Sequence, residues 1–502
     1  PIGIQSFEKL RRENYVYVDK TALIYKLVST SNPYFLSRPR RFGKSLLLST
    51  MEAYFLGKRD LFKGLAIERF ETEWNTHAVL HLDLNAEKYD STERLHDMLE
   101  RQLQKWEETY ETGGKGITHS GRFMEVIQKA YEKTGRGVVV LIDEYDKPLL
   151  NSFQDEELQR AFRDTLTAFY TVLKSADQWL RFVFITGVTK FAQMGIFSNL
   201  NQLVDISLTR PYASLCGITL EEIEATFEPE IEQLMESHGL PREELLAQLT
   251  RRYDGYRFSP GNVARMFNPF SLLSVMTFHD FGNYWFSTGT PTFLTEMLIE
   301  VSAASLSDDR ANINNPVPMI YQSGYLTIKA YDEEFQIFTL GFPNDEVKYG
   351  FLNFVTPFYT PLAETETSFY IGKFIRELRE GDPDAFLTRL RAFFAGIPYE
   401  LNDRTERHYQ TVFYLVFKLM GQFTETEIRS AKGRADAVVK TADYIYVFEF
   451  KLDGSADEAL AQIDDRGYLI PYTADDRKLV KIGVNFDPKE RNIGEWCKGK
   501  GF

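Results

Sequence analysis

The chain has 502 residues, 43% of them hydrophobic and 26% charged, the composition of a soluble globular protein too long for one ordinary core, so two or three domains are expected. A net charge of −14 excludes a surface coated in nucleic-acid-binding charge, so any DNA or RNA partner must meet a local basic patch. Two distant cysteines, Cys216 and Cys497, exclude a disulfide framework and a cysteine zinc site, and no stretch approaches the roughly 20 apolar residues of a bilayer span; a reducing cytoplasm and no membrane partner are expected.

Tyr15–Val18 alternates like a strand, and Asp19 stands where it would cap a helix through Leu23, Ile24 and Leu27. Tyr34–Ser45 then runs from a short apolar strand through a glycine turn into a helix, the pattern of a phosphate cradle. Gly43 supplies the turn, Lys44 would reach the β- and γ-phosphates of ATP, Ser45 would bind Mg²⁺, and Arg41 adds positive charge. Where the usual G-x-x-x-x-G-K-[ST] motif has its first glycine, this chain has Arg38. The helix continues from Leu46 to Phe55, Val79–Leu84 reads as a strand, and a charged helix covers about Ser91 to Tyr110. Gly113–Gly116 is a surface loop, since no strand leads into it.

Val138–Ile142 is an apolar run of buried parallel-strand type ending in Asp143-Glu144, and it is expected next to the cradle. Asp143 would hold Mg²⁺ through water and Glu144 would polarise the attacking water. The ordinary alternative is that both acids begin a loop or cap a helix. A helix through Leu158, Phe162, Leu166 and Phe169 follows, then a strand Phe182–Ile185 that leads into Thr186–Lys190. Ligands bind beyond the carboxyl ends of such strands, so Lys44, Asp143 and Thr186 should converge. Thr186 or Thr189 would meet the γ-phosphate or the attacking water, unless both merely satisfy a turn.

From Leu215 the pattern becomes helical and acidic, opened by a cap at Thr219 and continuing to about Tyr253. An aromatic turn at Tyr253–Phe258, a helix capped by Asn268 and a strand-like Tyr321–Ile328 follow. A lid or winged-helix-like module that moves with nucleotide is expected here. Glu364–Asp384 is helical, with a linker somewhere in 360–390. Glu406 then opens a helix whose Glu406, Tyr409, Phe413, Val416 and Met420 share one stripe. Strands follow at Thr424–Arg429, up to Val439 and at Tyr444–Lys451, then a helix carrying Ala459, Gln462 and Ile463.

If residues 441–444 connect a hairpin, Lys440 pairs with Ile445 and Asp436 lies opposite Glu449, with Lys451 on the same face. Two such carboxylates suit Mg²⁺ or Mn²⁺, while Lys451 would hold metal-bound water or developing charge. Glu406 would add a ligand or orient that water, Gln462 would orient the group, and Lys432 with Arg434 offers a patch for a phosphate backbone. The ordinary alternative is an exposed hairpin with plain cross-strand pairs.

Several of these segments resemble the bacterial family of AAA-ATPase-like proteins that carry a C-terminal PD-(D/E)XK nuclease-like domain. They are Tyr17–Thr21, Leu36–Ser45, Leu141–Asp146, Thr186–Lys190, Tyr253–Phe258, Gln322–Ile328, and the terminal Gly-Arg-x-Asp and Glu-x-Lys pair. The resemblance implies an α/β chain of three parts: a P-loop ATPase domain over 1–212 with helices on both faces of a parallel sheet, the middle region over 213–360, and a restriction-endonuclease-like domain over 385–502. It implies ATP and Mg²⁺ as cofactors and an ATP-coupled nuclease acting on nucleic acid, DNA above all. The competing expectation is a nucleotide-dependent binding or signalling module whose nuclease fold only grips a partner. An oligomer that completes the ATP site is compatible with either.

Overall fold

The computed structural model describes residues 2–113, 118–152, 155–189, 202–286, 317–335, 337–359, 364–395, 406–421, 424–428, 436–451, 454–487, 490 and 492–500. Those up to Val347 pack as one compact unit and those from Lys348 on as another. No helix among the described residues is long and apolar enough to cross a membrane.

The first unit is built on five parallel strands, β1 (Pro33–Ser37), β2 (Val79–Asp83), β3 (Val138–Asp143), β4 (Leu180–Gly187) and β5 (Val204–Asp205), in the order β2-β3-β4-β1-β5. Every residue of β3 is buried, as a strand covered on both faces requires. Val138, Val140 and Ile142 share a core with the helices Thr92–Tyr110, His119–Thr134 and Glu156–Ser175. On the opposite face the helix Lys44–Phe55 sets Phe55 against Phe182, with ring centroids 5.2 Å apart.

Some expectations are corrected here. Tyr15–Val18 forms no strand, because it lines a cavity and pairs with no sheet edge. The cap position of the helix Thr21–Val28 is Lys20; Asp19 instead accepts the Thr21 N–H at 2.8 Å and the Ala66 N–H at 2.7 Å, tying two segments together. The acid-bearing β3 is not the neighbour of the cradle strand β1, since β4 lies between them. The helix His119–Thr134 was not foreseen, and residues 114–117 of the glycine loop before it lie outside the described residues.

In the middle region four helices, Leu220–Thr226, Glu228–His238, Arg242–Tyr253 and Pro269–Phe278, share a core that includes Ile223, Ile231, Leu249 and Leu272. Thr219 and Glu222 form a reciprocal capping box, and Asn268 caps the last helix by accepting the Phe270 and Ser271 N–H groups. Tyr321–Ile328 is not one strand. The helix Val317–Gln322 ends there, with Gly324 in the left-handed region and the Tyr325 N–H on the Ile320 carbonyl, before β6 (Thr327–Asp332) pairs with β7 (Ile337–Gly341).

The second unit carries β8 (Glu425–Ile428), β9 (Ala437–Lys440), β10 (Tyr444–Lys451), β11 (Lys478–Asp487) and β12 (Asn492–Lys500) in the order β12-β11-β10-β9-β8, with only β10 and β11 parallel. The last two strands were not read from the sequence. Much of the segment expected to be a linker is the helices Glu364–Arg379 and Pro383–Ala395, whose Phe374, Leu378, Phe386 and Leu390 join the core under this sheet.

Candidate nucleotide site and candidate metal centre

At the carboxyl end of β1 the chain turns through Arg41, at φ +66°, and Gly43, at φ +89°, and enters the helix that Lys44 opens. Ser45 lies in the first turn of that helix. The Lys44 side chain is 3% exposed, and its ammonium donates to the carbonyls of Arg38 at 3.0 Å and Pro39 at 3.2 Å and lies 3.3 Å from Glu144 Oε1. Burial pushes the Glu144 carboxyl up, but Lys44, Arg40 and Lys147 outweigh it and leave it below its ordinary range. Asp143 is buried at the end of β3 and accepts a 2.6 Å hydrogen bond from the Thr186 hydroxyl at the end of β4. Lys44, Glu144, Asp143 and Thr186 are thus brought together. Thr186 is engaged by the acid, and Thr189 is committed elsewhere, to Asp146, through its amide at 2.6 Å and its hydroxyl at 2.7 Å.

Arg38 explains its own presence in place of glycine. Its guanidinium is buried, lies 4.2 Å from the centre of the Phe258 ring, and donates to the carbonyls of Ser37 at 2.9 Å, Ser207 at 2.8 Å and Tyr212 at 3.2 Å. Burial pulls its pKa down to about 10, still charged at neutral pH. The Arg41 guanidinium sits 3.9 Å over the Phe270 ring. Arg40 and Lys147, passed over in the sequence, are the other cations acting on Glu144. Asp83, in register with Asp143 across β2 and β3, was also missed; burial first, and then the charge of Asp143, hold its carboxyl above the ordinary range against the lowering hydrogen bond from the Asn85 N–H. The signal for Lys147 was present, four residues after Asp143 in one short motif.

Beside Gly43 opens a cavity of about 360 Å³, walled by Tyr17, Val18, Phe42, Leu215, Ile218 and Leu273 among others. Its size and largely apolar lining suit a flat heteroaromatic group, and its edge at Gly43 adjoins the turn before Lys44.

In the second unit the β9–β10 register pairs Lys440 with Ile445 and Ala437 with Phe448, so Asp436, one residue further out, comes opposite Glu449. Asp436 Oδ2 accepts the Phe450 N–H at 2.9 Å. Glu449 is buried; its Oε1 accepts from Gln462 Nε2, whose own Oε1 accepts from Lys451 Nζ, and Oε2 has no hydrogen-bond partner. The Lys451 ammonium stands 4.0 Å from Glu449. Burial first and Asp436 next raise Glu449 to about 7, and burial raises Asp436 despite the Phe450 N–H and Lys451. Two facing acids with raised pKa and one orphaned buried oxygen are what a hard divalent cation relieves, so these residues fit Mg²⁺ or Mn²⁺. No group of three or more potential ligands is assembled among the described residues. The side chain of Glu406, which opens the helix Glu406–Met420, and residues Lys432 and Arg434 lie outside the described residues.

Residues 1–197 match the family described as predicted AAA-ATPase, and residues 404–496 match the PD-(D/E)XK nuclease superfamily. The uncharacterized protein in the vnfD 5′ region of Azotobacter chroococcum mcd 1 is 35% identical over 98% of this chain and 97% of its own length. Among solved structures, the ORC2 protein of Aeropyrum pernix aligns at a TM-score of 0.26 and 12% identity, over 65% of this chain and 92% of that one.

Proposed function

The chain belongs to a family of proteins that join a predicted AAA-ATPase domain to a PD-(D/E)XK nuclease superfamily domain, and from that membership we propose that it binds ATP with Mg²⁺ in the first unit and hydrolyses nucleic-acid phosphodiesters, those of DNA above all, in the second. The observation that carries the nuclease reading is the unpartnered Glu449 oxygen beside Asp436 with Lys451 on the same face. Asp436 and Glu449 would hold the divalent ion, which when bound supplies Lewis acidity at the phosphate and acidifies water. Lys451, kept in place by Gln462, faces developing negative charge. Glu406, which opens the helix Glu406–Met420, would add a further ligand or orient metal-bound water.

In the first unit Lys44 would leave Glu144 and the two loop carbonyls for the phosphates, with Gly43 and the helix N-terminus completing the cradle. Ser45 and Asp143 would hold Mg²⁺, with Thr186 fixing the Asp143 carboxylate, and Glu144, freed from Lys44, would orient water. The 360 Å³ cavity would receive the base. Both readings are tested on purified protein with plasmid and single-stranded DNA, Mg²⁺ or Mn²⁺, with and without ATP. Cleavage should occur in the wild type and vanish in Asp436→Asn, while Lys44→Ala should abolish nucleotide binding by calorimetry. Full cleavage by Asp436→Asn would overturn the metal assignment, and unchanged ATP affinity in Lys44→Ala the nucleotide assignment.

A further inference from the structure

The phosphate loop lacks its first glycine yet carries Arg41 at φ +66°, a backbone conformation that persists in a side-chain-bearing residue only where the surroundings over-determine it. Those surroundings come from far along the chain. The indole Nε1 of Trp285 donates to the Arg40 carbonyl at 3.1 Å across 245 residues. Trp285 is 1% exposed, and its own backbone N–H donates to Glu346 Oε1 at 2.7 Å, while Glu346 Oε2 accepts from the Ser271 hydroxyl at 2.7 Å. Tyr325 packs on the indole with ring centroids 5.3 Å apart, and Gly324, at φ +95°, comes so close to Pro39 that a Cβ there would lie 2.8 Å from the proline Cβ. Two segments of the middle region thus bear on Pro39 and Arg40 from outside.

We propose that Trp285 and Glu346 are positioning residues of the phosphate loop: the indole pins the Arg40 carbonyl, the carboxylate pins the backbone of the tryptophan, and together they hold a loop in which a left-handed position is taken by Arg41 and not by a glycine. This rests on the reading of the loop as a nucleotide site. It gives the aromatic segments of the middle region a task that their sequence alone did not suggest. Linkage makes the idea quantitative, because whatever factor the strut adds to nucleotide affinity, bound nucleotide must add to the stability of the strut.

The test uses the full chain, Mg²⁺ and a non-hydrolysable ATP analogue, with calorimetric titration of wild type and Trp285→Phe and hydrogen exchange at the Trp285 and Phe286 amides. Phenylalanine keeps most of the ring bulk and removes the N–H donor. Loss of that one buried hydrogen bond is expected to weaken analogue binding by about tenfold, alongside the modest fall in melting temperature that one stranded buried carbonyl brings. In the wild type, saturating analogue should slow exchange at the two amides by a similar factor, a match that a merely structural tryptophan would not give. Equal affinity in wild type and Trp285→Phe overturns the strut. Absence of binding to the wild type removes the nucleotide reading itself, and the proposal with it. Should Trp285→Phe fail to fold, the wild-type exchange decides, and protection unaffected by the analogue overturns the proposal.

Discussion

Glu449 is a carboxyl whose proton the folded chain holds tightly: burial first, then Asp436, raise it from an ordinary 4.5 to about 7. The folded pKa lies above the unfolded one, so the stabilisation belongs to the protonated form. It is complete below about pH 4.5 and is lost as pH rises through about 7. A divalent ion placed against Oε2 competes with that proton. Apparent Mg²⁺ or Mn²⁺ affinity should therefore be about tenfold weaker at pH 6 than its plateau at pH 8, with a proton released on binding at the lower pH. Calorimetric titrations at both pH values, in buffers of different ionisation enthalpy, measure both quantities. Affinity independent of pH with no proton release would remove Glu449 from the ligand set.

The turn from Arg38 to Lys44 shows a departure from a motif accompanied by packing of its own. Restoring the motif by Arg38→Gly looks benign on paper, but the guanidinium donates to the carbonyls of Ser37, Ser207 and Tyr212 from a buried position. Deleting it strands those acceptors and adds backbone freedom to a turn. The substitution should lower unfolding free energy by roughly 2–3 kcal/mol and weaken nucleotide binding, measured by denaturant unfolding and calorimetry. A variant as stable as the wild type would show that the arginine is dispensable. What was legible in the sequence follows the same line. β3 with its terminal acids and the β9–β10 register could be read because strand periodicity and hairpin counting are local. The bond from Trp285 to Arg40 could not, since nothing local links residues 245 apart. β4 between β1 and β3 was missed because order within a parallel sheet is set by crossovers and leaves no trace in the strands themselves. β12 escaped because glycines and charged residues break its apolar alternation, whereas β11 carried a readable signal, Val480, Ile482, Val484 and Phe486 at every second position, that was passed over.

On the scale of the whole chain, each unit has cores of its own. The first buries Val140, Ile142, Phe162 and Leu166 around its sheet and Ile231 and Leu249 in the middle region, while the second buries Phe386, Leu390, Phe417 and Phe448. Separate cores make separate cooperative transitions the default, because each loses its apolar burial at its own temperature. Calorimetry should then resolve two heat-capacity peaks, and the two ligands assign them. Mg²⁺ with an ATP analogue at 100 times its dissociation constant should stabilise the first unit by about 2.7 kcal/mol and raise one peak. Mn²⁺ without nucleotide should raise the other through Asp436 and Glu449, and Asp436→Asn should cancel that second shift alone. A single peak that moves as a whole with either ligand would mean that the chain unfolds as one body. In that case nucleotide occupancy would bear directly on the stability of the acid–acid–lysine site, and the two units could not be treated as independent in any mutant comparison.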